Sequence, residues 1–376
     1  MKETWSYANP TKLYYGEQWL SKLPEFVESL SKDAKVGIIT GQHAARKYGY
    51  TQSVLDSLSG KECVVFDEVE PEPSHDTVMK GKDFFERHQV SILIAIGGGS
   101  SIDAAKAMSC LAYTQLHITP IMDREIVITE KKIPLIAIPT TAGSGSEITP
   151  FSVLTNTGNG LKKSTPSPYF YPDLAIVMPR FLTTLPKKVI GDVGMDALAH
   201  SFEALWSIHS NQVSDAIAFK AIKLISDNFL TYYCDPQNYF AASAMAVAAT
   251  LAGKSFSNTF TAACHGLSYP IGRRFNLSHG ASCAMTLHLV ARFNQEVMKE
   301  KFVELAQYLN LPGHGDIHKL IEDIRTNITT VPSFRELSAN IEDLRFIAQG
   351  AFRPLLDNNP IKLSEDQIVN LLAKEL

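Results

Sequence analysis

The chain has 376 residues, a formal net charge of −4 and five cysteines, with 45% of its residues hydrophobic. That length suits two domains of ordinary size, each burying its own core, and the slight acidity points away from nucleic acid or an anionic membrane as partner. The cysteines (Cys63, Cys110, Cys234, Cys264, Cys283) are scattered, odd in number and without a C-x-x-C pair, so no disulfide framework is expected.

The opening MKETWSYANPTKLYYG has no apolar core of signal-peptide type, and no apolar run approaches the length of a bilayer, so a cytoplasmic location is expected. Short runs rich in β-branched residues follow at KVGIITG (35–41), ECVVFDEV (62–69), SILIAIGGG (91–99) and KIPLIAIPTT (132–141). Helical stretches near 44–58 and 77–88 lie between them, and strands alternating with helices predict a parallel sheet covered on both faces. SVLT (152–155) and LAIVMP (174–179) fit further strands.

From about residue 186 helical periodicity takes over, over 213–233, 237–254, 288–309 and 316–327. A final amphipathic helix is expected over 364–376, with Ser364 as N-cap and Asp366 in its first turn. No internal repeat or low-complexity tract occurs. The predicted organisation is an α/β dinucleotide-binding domain over 1–186 and an all-helical domain over 187–376.

Three blocks carry chemistry. ILIAIGGGSSIDAAKA places Gly97, Gly98 and Gly99 at the end of a buried strand, just before a helix. Glycine lets the backbone approach a pyrophosphate, and the helix N-terminus offers free N–H groups and a positive dipole end. The run is not the G-x-G-x-x-G fingerprint, and alone it is as consistent with a tight structural turn. PTTAGSGSE (139–147) brings Thr140, Thr141 and Ser144 to another strand end. The third block runs from GMDALAHSFEALW (194–206) to CHGLSYPIGRRFNLSHG (264–280). Asp196 and His200 are four apart and share a helix face, while His265 and His279 are each followed by glycine. A D-x-x-x-H pair alone is more often a surface or capping pair. One carboxylate with three imidazoles is a donor set for iron, zinc, nickel or manganese.

In this order, and over nearly the whole chain, the blocks resemble the iron-containing (group III) alcohol dehydrogenase family. The resemblance implies a dehydroquinate synthase-like fold, with Asp196, His200, His265 and His279 as ligands of a divalent metal, Fe²⁺ first and Zn²⁺ or Mn²⁺ as alternatives. It implies that Gly97, Gly98, Gly99, Ser100 and Asp103 belong to the cofactor diphosphate site, with Thr140, Thr141, Ser144, Lys162 and Leu185 near the nucleotide. A solvated basic pair with Lys163 is an equal reading of Lys162. The implied reaction is alcohol plus NAD(P)⁺ to aldehyde plus NAD(P)H. The metal would act as a Lewis acid, and nicotinamide C4 would exchange the hydride. A homodimer or larger homo-oligomer is the family's usual state.

The chain departs from the family pattern twice. Many NAD-dependent members carry aspartate where this chain has Gly41, and without that carboxylate a 2′-phosphate is not repelled, so NADP(H) is expected to be accepted. Many members carry histidine where this chain has Tyr269, four residues after His265; a hydroxyl with an unperturbed pKa near ~10 is a poorer base at neutral pH. HGLSYP and the later NNP (358–360) resemble the branch that reduces phosphonoacetaldehyde to 2-hydroxyethylphosphonate. Arg273, with Arg274 and Arg353 as further candidates, would hold the anionic group, and Phe151 and Phe256 would form an apolar wall. A general short-chain primary alcohol dehydrogenase is the alternative, followed by a sulfoacetaldehyde reductase or a non-catalytic nucleotide-binding relative. Glu203, one turn beyond His200, is either a partner of a ligand or a surface residue.

Overall fold

The β-branched runs of the first half assemble into one sheet. The computed structural model describes residues 4–311 and 317–376. Its strands are β1 (Lys12–Tyr15), β2 (Val36–Gly41), β3 (Cys63–Val69), β4 (Ile92–Gly97), β5 (Leu135–Pro139), β6 (Phe151–Asn156), β7 (Leu161–Pro166) and β8 (Leu174–Val177). Six of them form a parallel sheet in the order β1-β8-β5-β4-β2-β3. β4 and β5 are buried along their whole length, as a sheet covered on both faces requires. The helices accompanying it are α1 (Leu23–Leu30), α2 (Ala44–Lys47), α3 (Tyr50–Ser57), α4 (His75–Arg87), α5 (Gly99–Leu111) and α6 (Ile118–Met122).

The sheet order reverses between β2 and β4: the chain goes outward from β2 to β3, then returns to β4 on the other side of β2. Parallel strands end at one edge, so Gly41 and Gly97, the last residues of β2 and β4, flank this switch point. Open α/β sheets bind ligands at the carboxyl ends of the strands at such a point. The strand expected over 152–155 stands apart from this sheet, as half of the antiparallel β6–β7 hairpin. The polar β7 and the short β1 have no alternating apolar pattern and were not expected. The helix expected over 44–58 is two helices, because the chain turns left-handed at Gly49, with φ 74°.

The second half is helical: α7 (Lys187–Trp206), α8 (Gln212–Cys234), α9 (Tyr239–Thr259), α10 (Ala263–Phe275), α11 (His279–Asn294), α12 (Lys299–Tyr308), α13 (Ile317–Asn327), α14 (Ile341–Gly350), α15 (Arg353–Leu356) and α16 (Glu365–Leu372). The stretch expected as one helix over 288–309 is α11 and α12. α11 begins nine residues early, at His279, and this decides where that imidazole points. Residue 316, expected to begin a helix, lies outside the described residues. Ser364 caps α16 by accepting from the Gln367 amide, with Asp366 in the first turn. α7 packs against α8, α9 and α11 and is buried on almost every face of its second half, which makes it the axis of this unit.

The chain divides into two compact units. One comprises Asn9–Thr141 and Gly145–Thr184; the other comprises the segment ending at Ala8, Ala142–Ser144 and Leu185–Leu376. The main cut falls after Thr184, two residues before the expected boundary, and two short segments on the other side of it join the helical unit. Ala8 exchanges hydrogen bonds with the Asn258 side chain of α9. Gly143 lies so close to α7 that an added Cβ would stand 2.6 Å from Cβ of Val193.

Candidate active site

In the α/β unit the glycine loop is built for close approach. Gly97 has φ 157°, and a Cβ there would collide with the Ser101 side chain, 2.8 Å from its Cβ. Its carbonyl accepts from the Thr140 amide at 2.9 Å, joining the ends of β4 and β5. A Cβ on Gly98 would stand 3.2 Å from the Thr141 hydroxyl oxygen, so Gly97–Gly99, Thr140 and Thr141 form one cradle. α5 begins at Gly99, and Ser100 lies in its first turn, where N–H groups have no intrahelical acceptor. Ser100 Oγ also accepts from the Glu72 amide. At Gly41 an added Cβ would find only ordinary contacts, 3.5 Å from the Val69 carbonyl and 3.7 Å from Ser101 Oγ.

Asp103 has a structural task in this unit. Its carboxylate accepts from Lys106 Nζ at 3.2 Å, from the Ser146 hydroxyl and from the Val153 amide at 3.0 Å, fastening α5 to β6. Both oxygens are therefore spent on the fold rather than presented to a diphosphate. Lys162, on β7, pairs with Glu72 at 3.0 Å. Phe151 is buried in β6, and its carbonyl accepts from Lys106 Nζ at 2.7 Å. Ser144 belongs with the helical unit, and so does the buried Leu185.

In that unit α7 carries a row of acids and bases at helical spacing: Asp192, Asp196, His200 and Glu203. Asp196 Oδ1 is buried without a hydrogen-bond partner. It faces His265 Nε2 at 3.7 Å and His279 Nε2 at 3.8 Å, beyond hydrogen-bond reach. Burial alone would raise the Asp196 carboxyl, but His200, His265 and His279 around it hold it below the usual carboxylate range. His200 Nε2 lies 3.0 Å from His265 Nε2, and the His200 ring stacks on Phe256 with centroids 4.1 Å apart. Burial pushes His200 down to about 4 against the pull of Asp196, so it is neutral at pH 7, the form a ligand needs.

Glu203 is not a surface residue. Its side chain is 0% exposed. One oxygen accepts from the Cys264 amide at 2.5 Å, and the other accepts the Nδ1–H of His265. Burial alone would raise the Glu203 carboxyl; His265 and the backbone amides beside it hold it down. A carboxylate can only accept, so Nδ1 of His265 carries a proton and Nε2 is turned toward Asp196. Ser268 gives its hydroxyl proton to the His265 carbonyl at 2.8 Å and lies 3.4 Å from His279 Nδ1, while Nε2 of that ring faces Asp196.

The glycine after His279 has a packing reason. A Cβ on Gly280 would run into the Asp192 carbonyl and stand 3.2 Å from Cβ of Asp196, so only glycine lets α11 touch α7 here. Ser278 donates to Asp192 Oδ2 at 2.7 Å and pins the same junction. Tyr269 packs beside His279, ring centroids 6.0 Å apart, and burial pushes its hydroxyl up to about 12. It is thus a neutral donor at pH 7 and no base. Of the arginines, Arg274 is committed to Asp343 and Arg353 to Glu365. Arg273, exposed one turn beyond Tyr269, has no acidic partner among the described residues.

Three residues here were missed by pattern reading. Asp192 and Lys106 give no signal outside a solved packing. Cys283 does: it follows His279 by four, the spacing already read at Asp196 and His200. One donor atom each from Asp196, His265, His279 and Cys283 lie within 4.8 Å of one another. That set excludes His200, which meets the cluster through His265.

A switch-point glycine loop together with a buried carboxylate–imidazole cluster is the equipment of a nucleotide-linked, metal-dependent oxidoreductase. Residues 10–179 match the family profile of iron-containing alcohol dehydrogenase, and residues 191–376 match the C-terminal profile of the same family. A sulfoacetaldehyde reductase of Bilophila wadsworthia is 30% identical, over 96% of each chain. Aldehyde-alcohol dehydrogenase 2 of Entamoeba histolytica is 32% identical over 90% of this chain, which spans 42% of that longer protein. The crystal structure of sulfoacetaldehyde reductase from Bifidobacterium kashiwanohense with NAD⁺ superposes with a TM-score of 0.94 at 27% identity, covering 100% of this chain and 99% of that one. This chain belongs to the iron-containing alcohol dehydrogenase family and is a metal-dependent, NAD(P)-linked oxidoreductase.

Proposed function

We propose that the enzyme reduces a small anionic aldehyde, with phosphonoacetaldehyde and sulfoacetaldehyde as the test cases, and accepts NADPH. Asp196, His200, His265 and His279 hold the divalent ion, Fe²⁺ first. The observation that carries this assignment is the buried, unpartnered Asp196 oxygen facing two imidazole nitrogens at 3.7 and 3.8 Å. When bound, the ion supplies Lewis acidity at the carbonyl and the nicotinamide supplies the hydride. The protein does the rest. Glu203 orients His265, Phe256 keeps water from the His200 side, and the Tyr269 hydroxyl offers a neutral hydrogen bond to the substrate oxygen. Gly97–Gly99, Ser100, Thr140 and Thr141 cradle the diphosphate.

Arg273 favours the anionic substrate, since a guanidinium with no acidic partner among the described residues can hold a phosphonate or sulfonate. In a reductase assay, phosphonoacetaldehyde or sulfoacetaldehyde is expected to exceed propanal in kcat/KM by about tenfold or more, the value of one charge-assisted contact. Arg273→Ala should raise KM for the anionic aldehyde and leave propanal nearly unchanged. A preference for propanal and glycolaldehyde in the unaltered enzyme would instead make it a general short-chain alcohol dehydrogenase.

Gly41 is the reason to expect NADPH. It closes β2 at the switch point with room beside it, and Arg46 and Lys47 follow within six residues. Wild-type kcat/KM should be at least as high with NADPH as with NADH. Gly41→Asp is expected to shift the ratio toward NADH by about tenfold or more, because a carboxylate there faces the 2′-phosphate. A strong NADH preference that Gly41→Asp leaves unaltered would refute this assignment.

A further inference from the structure

We propose that Cys283 is a thiolate donor to the metal centre, so that the ion is held by nitrogen, oxygen and sulfur together. The proposal rests on the metal-binding reading above and adds to it a residue outside the family's ligand set.

The geometry comes from two helices. α7 presents Asp196 and His200 one turn apart, and α11 presents His279 and Cys283 one turn apart. Because α11 begins at His279, both of its side chains leave the helix on one face. Gly280 lets that face approach Asp196 directly.

Distances carry the argument further. Cys283 Sγ is 4.0 Å from His279 Nε2, and Asp196 Oδ1 is 3.7 Å from His265 Nε2 and 3.8 Å from His279 Nε2. Bonds of ~2.0–2.3 Å to one tetrahedral ion place neighbouring donors about 3.3–3.8 Å apart. Those three spacings lie at or just above that range, and no two donors of Asp196, His265, His279 and Cys283 stand more than 4.8 Å apart. His200 does not share that mutual spacing; its Nε2 stands only 3.0 Å from His265 Nε2. His200 would be a fifth donor to the ion.

A second observation points to a cation independently of the cysteine. The Asp196 side chain is 9% exposed, and its Oδ1, aimed into the set, has no hydrogen-bond partner. Cys283 itself is fully buried, with the imidazole of His279 one turn before it. On ligation the S–H bond breaks, the sulfur keeps the electron pair for the new bond to the ion, and the proton leaves to solvent. A sulfur donor biases the site toward softer ions such as zinc or cobalt and away from manganese.

The test is cobalt substitution of the full-length, chelator-stripped protein, followed by absorption spectroscopy. Visible ligand-field bands report Co²⁺ held by the protein, and a near-ultraviolet charge-transfer band reports sulfur bound to it. Both are expected in the wild type. Cys283→Ser and Cys283→Ala should keep the visible bands and lose the near-ultraviolet band, while Cys264→Ser keeps both. Zinc affinity should fall about tenfold or more in Cys283→Ser, with manganese affinity changing less than about threefold. X-ray absorption of the zinc-loaded wild type should show a sulfur scatterer at about 2.3 Å, a measurement that needs no variant. Visible bands without the charge-transfer band overturn the proposal and leave the metal site standing. Absence of both bands overturns the proposal and the metal site together. A charge-transfer band that survives in both Cys283 variants also overturns it.

Discussion

Asp196→Asn is expected to lower kcat/KM by about 10³-fold or more and to abolish the effect of added metal. Asp196 is the one carboxylate in the proposed ligand set, and asparagine keeps its volume while removing the charge. Several kcal/mol of Lewis-acid stabilisation correspond to a loss of this size. The same change should appear without any turnover. In the wild type, a divalent ion at about a hundred times its Kd stabilises the fold by about 2.7 kcal/mol and raises Tm. The variant should show no such rise. Turnover within tenfold of wild type in Asp196→Asn, still sensitive to chelator, would mean that the ion is held elsewhere.

The second large effect is expected in the α/β unit. Lys106 is 0% exposed and gives its ammonium to Asp103 at 3.2 Å, Ser146 at 2.8 Å, Thr149 at 3.2 Å and the Phe151 carbonyl at 2.7 Å. Burial pulls its pKa below the usual lysine range, and Asp103 opposes that. Lys106→Met leaves the Asp103 carboxylate buried without its cation, which costs about 3–5 kcal/mol. Denaturant unfolding should report that loss in the midpoint. KM for the nucleotide should rise too, because α5, whose first turn belongs to the proposed diphosphate cradle, loses the Lys106 link to the Phe151 carbonyl of β6. Replacing both partners, Asp103→Leu with Lys106→Met, should recover part of the stability, since a buried pair exchanged for apolar side chains is close to neutral. A cost under about 1 kcal/mol for Lys106→Met alone would show that the network is not the anchor described.

Much of the fold was legible in local patterns. Runs such as ILIAIG and LIAIP are apolar throughout, which only a strand covered on both faces tolerates, and both are central strands of the sheet. β1 and β7 escaped because a partly exposed strand needs no alternating apolar signal; its partner, not its composition, makes it a strand. The start of α11 escaped because its cap residue, Ser278, is exposed and Gly280 reads as a helix breaker until Asp192 is seen against it. Placing the helix start nine residues late left Cys283 outside any helical register, and so outside the site.

The sequence by itself determined the layered α/β half followed by a helical half, and the inventory of donors, because periodicity and side-chain chemistry are local properties. Only the tertiary structure decided which donors meet. Asp196, His265 and His279 come from α7, α10 and α11, and they converge because glycine at 280 allows two backbones to touch. The same packing turned Glu203 inward onto His265, tied Asp103 to Ser146 and Val153, and brought the His279–Cys283 face of α11 against Asp196. Each of these depends on a neighbour distant in sequence, and no local pattern encodes which face of a helix will find it.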